Sequence, residues 1–204
     1  MGNVVLDISM SLDGFVTGPN PGLDSGLGEG GETLHDWAIG AKSEVDAALL
    51  DEAIVNTGAV LMGRRTFDFV DGPHGWGDDI GYGAERDQSS SPPIIVVTST
   101  RPDSVRLASM FTFVTDGIES APRHAQAAAG DMDVVIMGGA NLGRQCLAAG
   151  LLDEVRIHLA PVVLGAGTAL FAMQAAHRSR WSRRMWWSPL LPRTSPIESP
   201  RGRA

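Results

Sequence analysis

VVIMGGANLGRQCLAAGLLDEV, residues 134–155, carries the reading that decides the fold. VVIM is apolar at every position, the pattern of a strand buried on both faces. Gly138 and Gly139 follow at once, NLGRQCLAA continues at helical spacing to Gly150, and DEV opens another apolar run. A strand that becomes a helix through two glycines leaves the first backbone N–H groups of the helix free, with no Cβ in front of them. An anionic group can approach such a turn closely.

The same strand-then-helix alternation recurs outward from this unit. NVVLDISMSLDGF predicts a buried strand over Val4–Ile8 that leaves through a turn at SLDG. Residues 17–34, rich in glycine and holding Pro19 and Pro21, read as a long loop of the kind that carries function. SEVDAALLDEAIVNTG predicts an amphipathic helix with Val45, Leu49 and Ala53 on its apolar face and a stop at Gly58. AVLMG is a short strand, RRTFDFV a helix, residues 71–93 a second polar loop, and PIIVVTST and FTFV two further strands. IESAPRHAQAAAG is helical with Pro122 in its first turn, and DEVRIHLAPVVLG is a long strand whose alternation suggests an antiparallel edge. Strands alternating with helices predict one α/β domain rather than a sandwich.

Composition narrows the class. The chain has 204 residues, 43% of them hydrophobic, enough for one sizeable core and short for two. No stretch reaches the apolar length of a membrane span, and the N-terminus lacks a signal-peptide pattern, so a cytoplasmic setting without a membrane partner is expected. A formal net charge of −8 argues against nucleic acid as a partner. The single cysteine, Cys146, lies in an apolar helical pattern and reads as a core residue. His35, His74, His124, His158 and His177 show no paired ligand spacing, so no metal site is expected.

Three strand ends carry phosphate-compatible chemistry. Gly138 and Gly139 precede one helix; Gly63 precedes another that opens Arg64, Arg65, Thr66; and Thr98, Ser99 and Thr100 end a third strand before Arg101. None is a G-x-G-x-x-G or Gly-Lys-Ser/Thr motif. Together they suit a long ligand with more than one anionic group.

SLDGF, LMGRRTFD, VVTST, MGGANL with AAGLLDEV, and HLAPVVLGAGTALF come in the order and spacing of the dihydrofolate reductase-like family. Over about residues 3–171 the chain resembles the reductase domain of bifunctional riboflavin-biosynthesis deaminase-reductases. It lacks the H-x-E and P-C-x-x-C motifs of their zinc deaminase half. The resemblance implies a three-layer α/β/α fold around a central mixed, mostly parallel sheet, with NADPH as cofactor and a possible homodimer. It places Gly63, Arg64 and Thr66, then Thr98 and Ser99, then Gly138, Gly139, Ala140, Asn141 and Leu142 at the cofactor. Arg64 and Arg101 both remain candidates for a 2′-phosphate. On the substrate side it implies Asp36 as the acid that supports protonation, with Glu32 competing, and Asp13 and Trp37 at the cleft. An NADPH-dependent reductase of a pterin-like or ribosylaminopyrimidine-like small molecule is expected; the alternative is a nucleotide-binding protein without turnover.

After Phe171 the composition changes. Seven arginines face one acid, Glu198, and three of the five tryptophans fall there, with four prolines. Methionine and tryptophan have single codons, so reading Met185-Trp186-Trp187 in a shifted frame forces two valines, as a strand would need. Residues 172–204 are therefore expected to be a frameshifted extension without the native ending of the domain.

Overall fold

The computed structural model describes residues 2–39, 43–77, 80–85 and 91–171. The strands are β1 (Val4–Met10), β2 (Phe15–Thr17), β3 (Thr57–Gly63), β4 (Ile80–Gly81), β5 (Ala84–Glu85), β6 (Ile94–Val97), β7 (Phe111–Val114), β8 (Asp133–Met137), β9 (Glu154–Leu159) and β10 (Thr168–Ala169). The helices are α1 (Asp36–Ile39), which continues a 3-10 turn over Gly31–His35, then α2 (Glu44–Val55), α3 (Arg64–Val70), α4 (Ala121–Ala129) and α5 (Ala140–Ala148).

Six strands form the central sheet in the order β7-β6-β3-β8-β1-β9. Each described pairing in it is parallel. Among the described residues, antiparallel pairing is confined to the ribbons β2–β10 and β4–β5, the second inside the loop expected over 71–93. The apolar runs make this sheet because both faces are covered. Leu6, Ile8, Leu61, Val134 and Ile136 pack on one face with Ala125 of α4 and Leu142 and Cys146 of α5. Val60, Met62, Ile94 and Val96 pack on the other with Phe67 and Val70 of α3. Burying each such side chain contributes about 1.5–3 kcal/mol, so β3, buried from Ala59 to Met62, anchors the core. The three-layer α/β/α expectation holds.

Three local readings are corrected. β9 pairs with β1 in parallel, Val5 beside Glu154 through Met10 beside Leu159, not antiparallel. Its alternation reflects one polar face, and alternation carries no information about direction. β9 also ends at Leu159, and its apolar Ile157 and Leu159 remain exposed at an edge of the described sheet. α2 starts with a capping box between Ser43 and Asp46 but ends at Val55, and Gly58 lies inside β3. None of its residues is buried, so the amphipathic pattern of Val45, Leu49 and Ala53 is not spent on the core. Pro122, by contrast, sits at the start of α4, where a missing N–H costs no helical bond. The tail expected to be frameshifted lies outside the described residues.

Cys146 is a core residue, its thiol pushed up to about 11 by burial. No helix among the described residues is long and apolar enough to cross a membrane. No group of His, Cys, Asp and Glu among them could hold a metal ion.

Candidate functional site

The strand order makes the site. From β3 the chain runs outward to β6 and β7, then returns to place β8 between β3 and β1. β3 is followed by α3 on one face of the sheet, and its neighbour β8 by α5 on the other. Adjacent parallel strands whose helices leave on opposite faces open a crevice at their C-terminal ends, where α/β sheets bind ligands.

The walls of that crevice are short of side chains. Gly138 and Gly139 have φ of 63° and 69°, left-handed values that disfavour any other residue. A Cβ on Gly139 would lie 3.2 Å from Thr66 Oγ1, so the turn after β8 faces the first turn of α3. A Cβ on Gly63 would meet only Leu142 Cβ at 3.6 Å. Neither α3 nor α5 has a side-chain cap, unlike α2, so their first N–H groups remain available. Two helix N-termini thus converge across glycine turns, which brings Gly63, Thr66, Gly138 and Gly139 together.

Within GGANL the roles divide. Ala140 and Leu142 are buried in the core beneath α5, so their side chains pack rather than face a ligand, while Asn141 and Gly139 are exposed. Arg64 extends toward the end of β6: its Nε donates to Asp68 Oδ1 at 2.6 Å and its Nη1 to the Thr100 carbonyl at 3.0 Å. Thr98 Oγ1 donates to the same carbonyl at 2.9 Å, with Ser99 exposed beside it. Arg101 lies over the Phe113 ring at 5.3 Å. A depression of about 310 Å³ beside Arg64 is lined also by Asp68, Asp71 and Asp103; its acidic lining suits a phosphate less well than the glycine turn does.

On the substrate side the expected residues separate. Asp13 accepts from Ser11 Oγ at 2.6 Å, from Leu164 N–H at 3.2 Å and from Gly165 N–H at 2.7 Å. The Ser11 hydroxyl, followed by the backbone N–H groups, holds its carboxyl below the usual carboxylate range. Asp13 therefore ties the β1–β2 turn to the segment after β9. Asp36 is exposed at the start of α1, as is Glu32 one turn earlier, whereas Trp37 turns inward. Its Nε1 donates to Ser9 Oγ at 2.9 Å, and its indole stacks on His158 with ring centroids 4.2 Å apart and planes 21° apart. His158 Nε2 stands 2.7 Å from Asp7 Oδ1.

Sequence reasoning missed Asp7, Ser9 and His158. The signal that marks them is alternation: Asp7 and Ser9 share one face of β1, and Glu154, Arg156 and His158 share one face of β9. Ser9 and His158 are direct neighbours in register, and Asp7 is level with Met137, the residue before Gly138. This polar group sits at the same end of the sheet as the glycine turn, on the adjoining strands. His35, half-buried nearby, is held below the usual histidine range by burial first and by His158 second.

Residues 3–186 match the family model described as RibD C-terminal domain, and the chain belongs to that family. Uncharacterized protein YyaP of Bacillus subtilis (strain 168) is 28% identical over 175 residues, covering 82% of this chain and 79% of its own. A putative riboflavin biosynthesis protein from Shewanella sp. PV-4 has the same fold, with a TM-score of 0.58, 22% identity and 88% of each chain covered. Acinetobacter baumannii RibD, form 1, superimposes with a TM-score of 0.54 and 20% identity, over 90% of this chain and 53% of its own. The chain thus spans about half the length of that protein.

Proposed function

We propose that this member of the RibD C-terminal domain family is an NADPH-dependent reductase of a small planar heterocycle, pterin-like or ribosylaminopyrimidine-like. The observation that carries the reading is the crevice where Gly63 of β3 and the Gly138–Gly139 turn after β8 bring two uncapped helix N-termini together. Backbone donors without a Cβ before them fit a pyrophosphate, and Thr66 borders the same turn. Arg64, which donates to the Thr100 carbonyl beyond β6, or Arg101 would meet an adenosine phosphate beside Thr98 and Ser99. Bound NADPH would supply the hydride. The chain's part is to hold the two rings in contact and exclude competing reactions. Trp37 would line the substrate side.

A second reading, nucleotide binding without turnover, is favoured by one observation. Neither acid expected to support protonation is held in place for it: Asp36 and Glu32 are both exposed. NADPH titration followed by loss of its fluorescence with oxidised pterins and pyrimidines separates the two. Binding with turnover supports the reductase, binding without turnover on any of them supports the second reading, and no binding defeats both.

A further inference from the structure

The sheet face that carries Trp37 is built differently from the rest. Under α3 that face presents Val60, Met62, Ile94 and Val96, all buried. At β1 and β9 the equivalent positions are Asp7, Ser9 and His158. A sheet needs only apolar side chains to bury a face, and a partly buried hydrogen-bonded pair adds only modestly to stability. The polar residues therefore call for another explanation.

Their geometry supplies one. The Asp7 and His158 side chains keep only 18% and 25% of their surface exposed. One ring nitrogen of His158 is committed to Asp7, which fixes the plane of the imidazole. The imidazole covers one face of the Trp37 indole, and Ser9 fixes the indole N–H. A ring with one face covered and its N–H tied has lost both ways of turning. Trp37 is only half-buried, so part of its surface remains open to a ligand.

We propose that Asp7 and His158 are positioning residues that preset the Trp37 indole as a flat platform for the substrate's heterocyclic ring, next to the crevice that takes the cofactor phosphates. The proposal rests on reading the cleft as a site for a planar heterocycle. An indole held in one orientation stacks on a planar heterocycle without first losing its own rotational freedom. Asp7 acts through His158, and His158 through Trp37.

The test uses the full chain and pterin-6-carboxylate as probe, its fluorescence quenched on stacking, with 5,6-diaminouracil followed by calorimetry. Titrations are run with and without NADPH, alongside NADPH affinity and thermal melting. Replacing the imidazole in His158→Ala is expected to weaken probe binding by about tenfold with NADPH affinity unchanged; Asp7→Asn, which keeps the shape of the pair, is expected to weaken it less. The double variant Asp7→Asn with His158→Phe restores a stacked ring and removes a carboxylate that would lack its partner. It is expected to recover most of the lost affinity. The proposal is overturned if His158→Ala binds the probe as wild type does, or if the double variant recovers nothing while folded. Probe and NADPH affinities falling together with melting temperature would also overturn it, as would wild type binding neither probe. If wild type binds the probe with this dependence on His158 but does not bind NADPH, the cofactor reading fails and the platform stands.

Discussion

Gly165 donates its backbone N–H to Asp13 Oδ2 across a sequence separation of 152 residues, joining the turn after β1 to the segment after β9. Leu164 and the Ser11 hydroxyl complete the set around the same carboxylate. Asp13→Asn keeps the shape but turns an amide NH₂ toward one of these donors. Because the folded carboxyl lies below its usual value of 3.8, the tie stabilises the protein above that pH and is lost as pH falls through the lower folded value. The melting temperature of wild type should therefore exceed that of Asp13→Asn at pH 7, with the gap closing as pH drops below about 4. A constant gap across that range would show that the carboxylate's charge is not involved.

Gly63 separates ligand from fold. Its φ of −83° suits any residue, and a Cβ there finds only ordinary contact with Leu142. Gly63→Ala should leave melting unchanged or raise it slightly, since alanine loses less conformational entropy on folding. If a dinucleotide lies against this backbone, the same methyl should weaken NADPH binding by about tenfold. Unchanged affinity would move the cofactor away from β3.

Arg106 closes the loop after α3. Its guanidinium donates to the carbonyls of Val70, Asp71, Gly72 and Trp76, while Asp71 accepts the backbone N–H groups of Arg106 and Leu107. Arg106→Ala removes these bonds, most of them exposed to water, and should destabilise the chain by about 1 kcal/mol in denaturant unfolding. Arg106→Lys should recover only part of this, because an ammonium cannot reproduce the planar fork.

His35 should give a neutral-pH dependence of opposite origin to an ion pair. Burial, with His158 beside it, holds its imidazole below 6.5, so the unfolded chain takes up its proton first. That stability is complete above 6.5 and is lost as pH falls through the lower folded value, with a slope of up to about 1.4 kcal/mol per pH unit. Melting at pH 7.5 and 5.5 should differ more in wild type than in His35→Gln. An equal difference in both would assign the effect elsewhere.

The parts of this site legible in the sequence are those that a backbone requirement marks. Gly138 and Gly139 stand at positive φ and announce a turn that side chains cannot make, whereas Gly63, at an ordinary φ, is marked only by ending an apolar strand before Arg64. Ala140 and Leu142 carry the same motif but serve the core, since helical spacing does not say which face meets a ligand. Asp7 and His158 were not legible as a pair because 151 residues separate them, and only the parallel register of β1 and β9 brings them level. The apolar residues of α2 show the converse: a pattern that reads as a buried stripe remains unburied among the described residues, because helical spacing does not supply a partner surface. Likewise Asp13 and Asp36, similar acids near one cleft on paper, differ once the backbone N–H groups of Leu164 and Gly165 are in place.

The most direct measurement is NADPH affinity, by fluorescence titration, of the full chain and of Gly138→Ala with Gly139→Ala, with melting recorded on each sample. Both substitutions force alanine into left-handed backbone at a cost of about 1–2 kcal/mol per residue, and the second meets Thr66; Gly30→Ala, left-handed at φ 68° with open space around it, controls for that strain alone. The account predicts that NADPH binds wild type and the Gly30 control alike, and binds the double variant at least about thirtyfold more weakly in a sample that still melts cooperatively. Equal affinity in a folded double variant would contradict it.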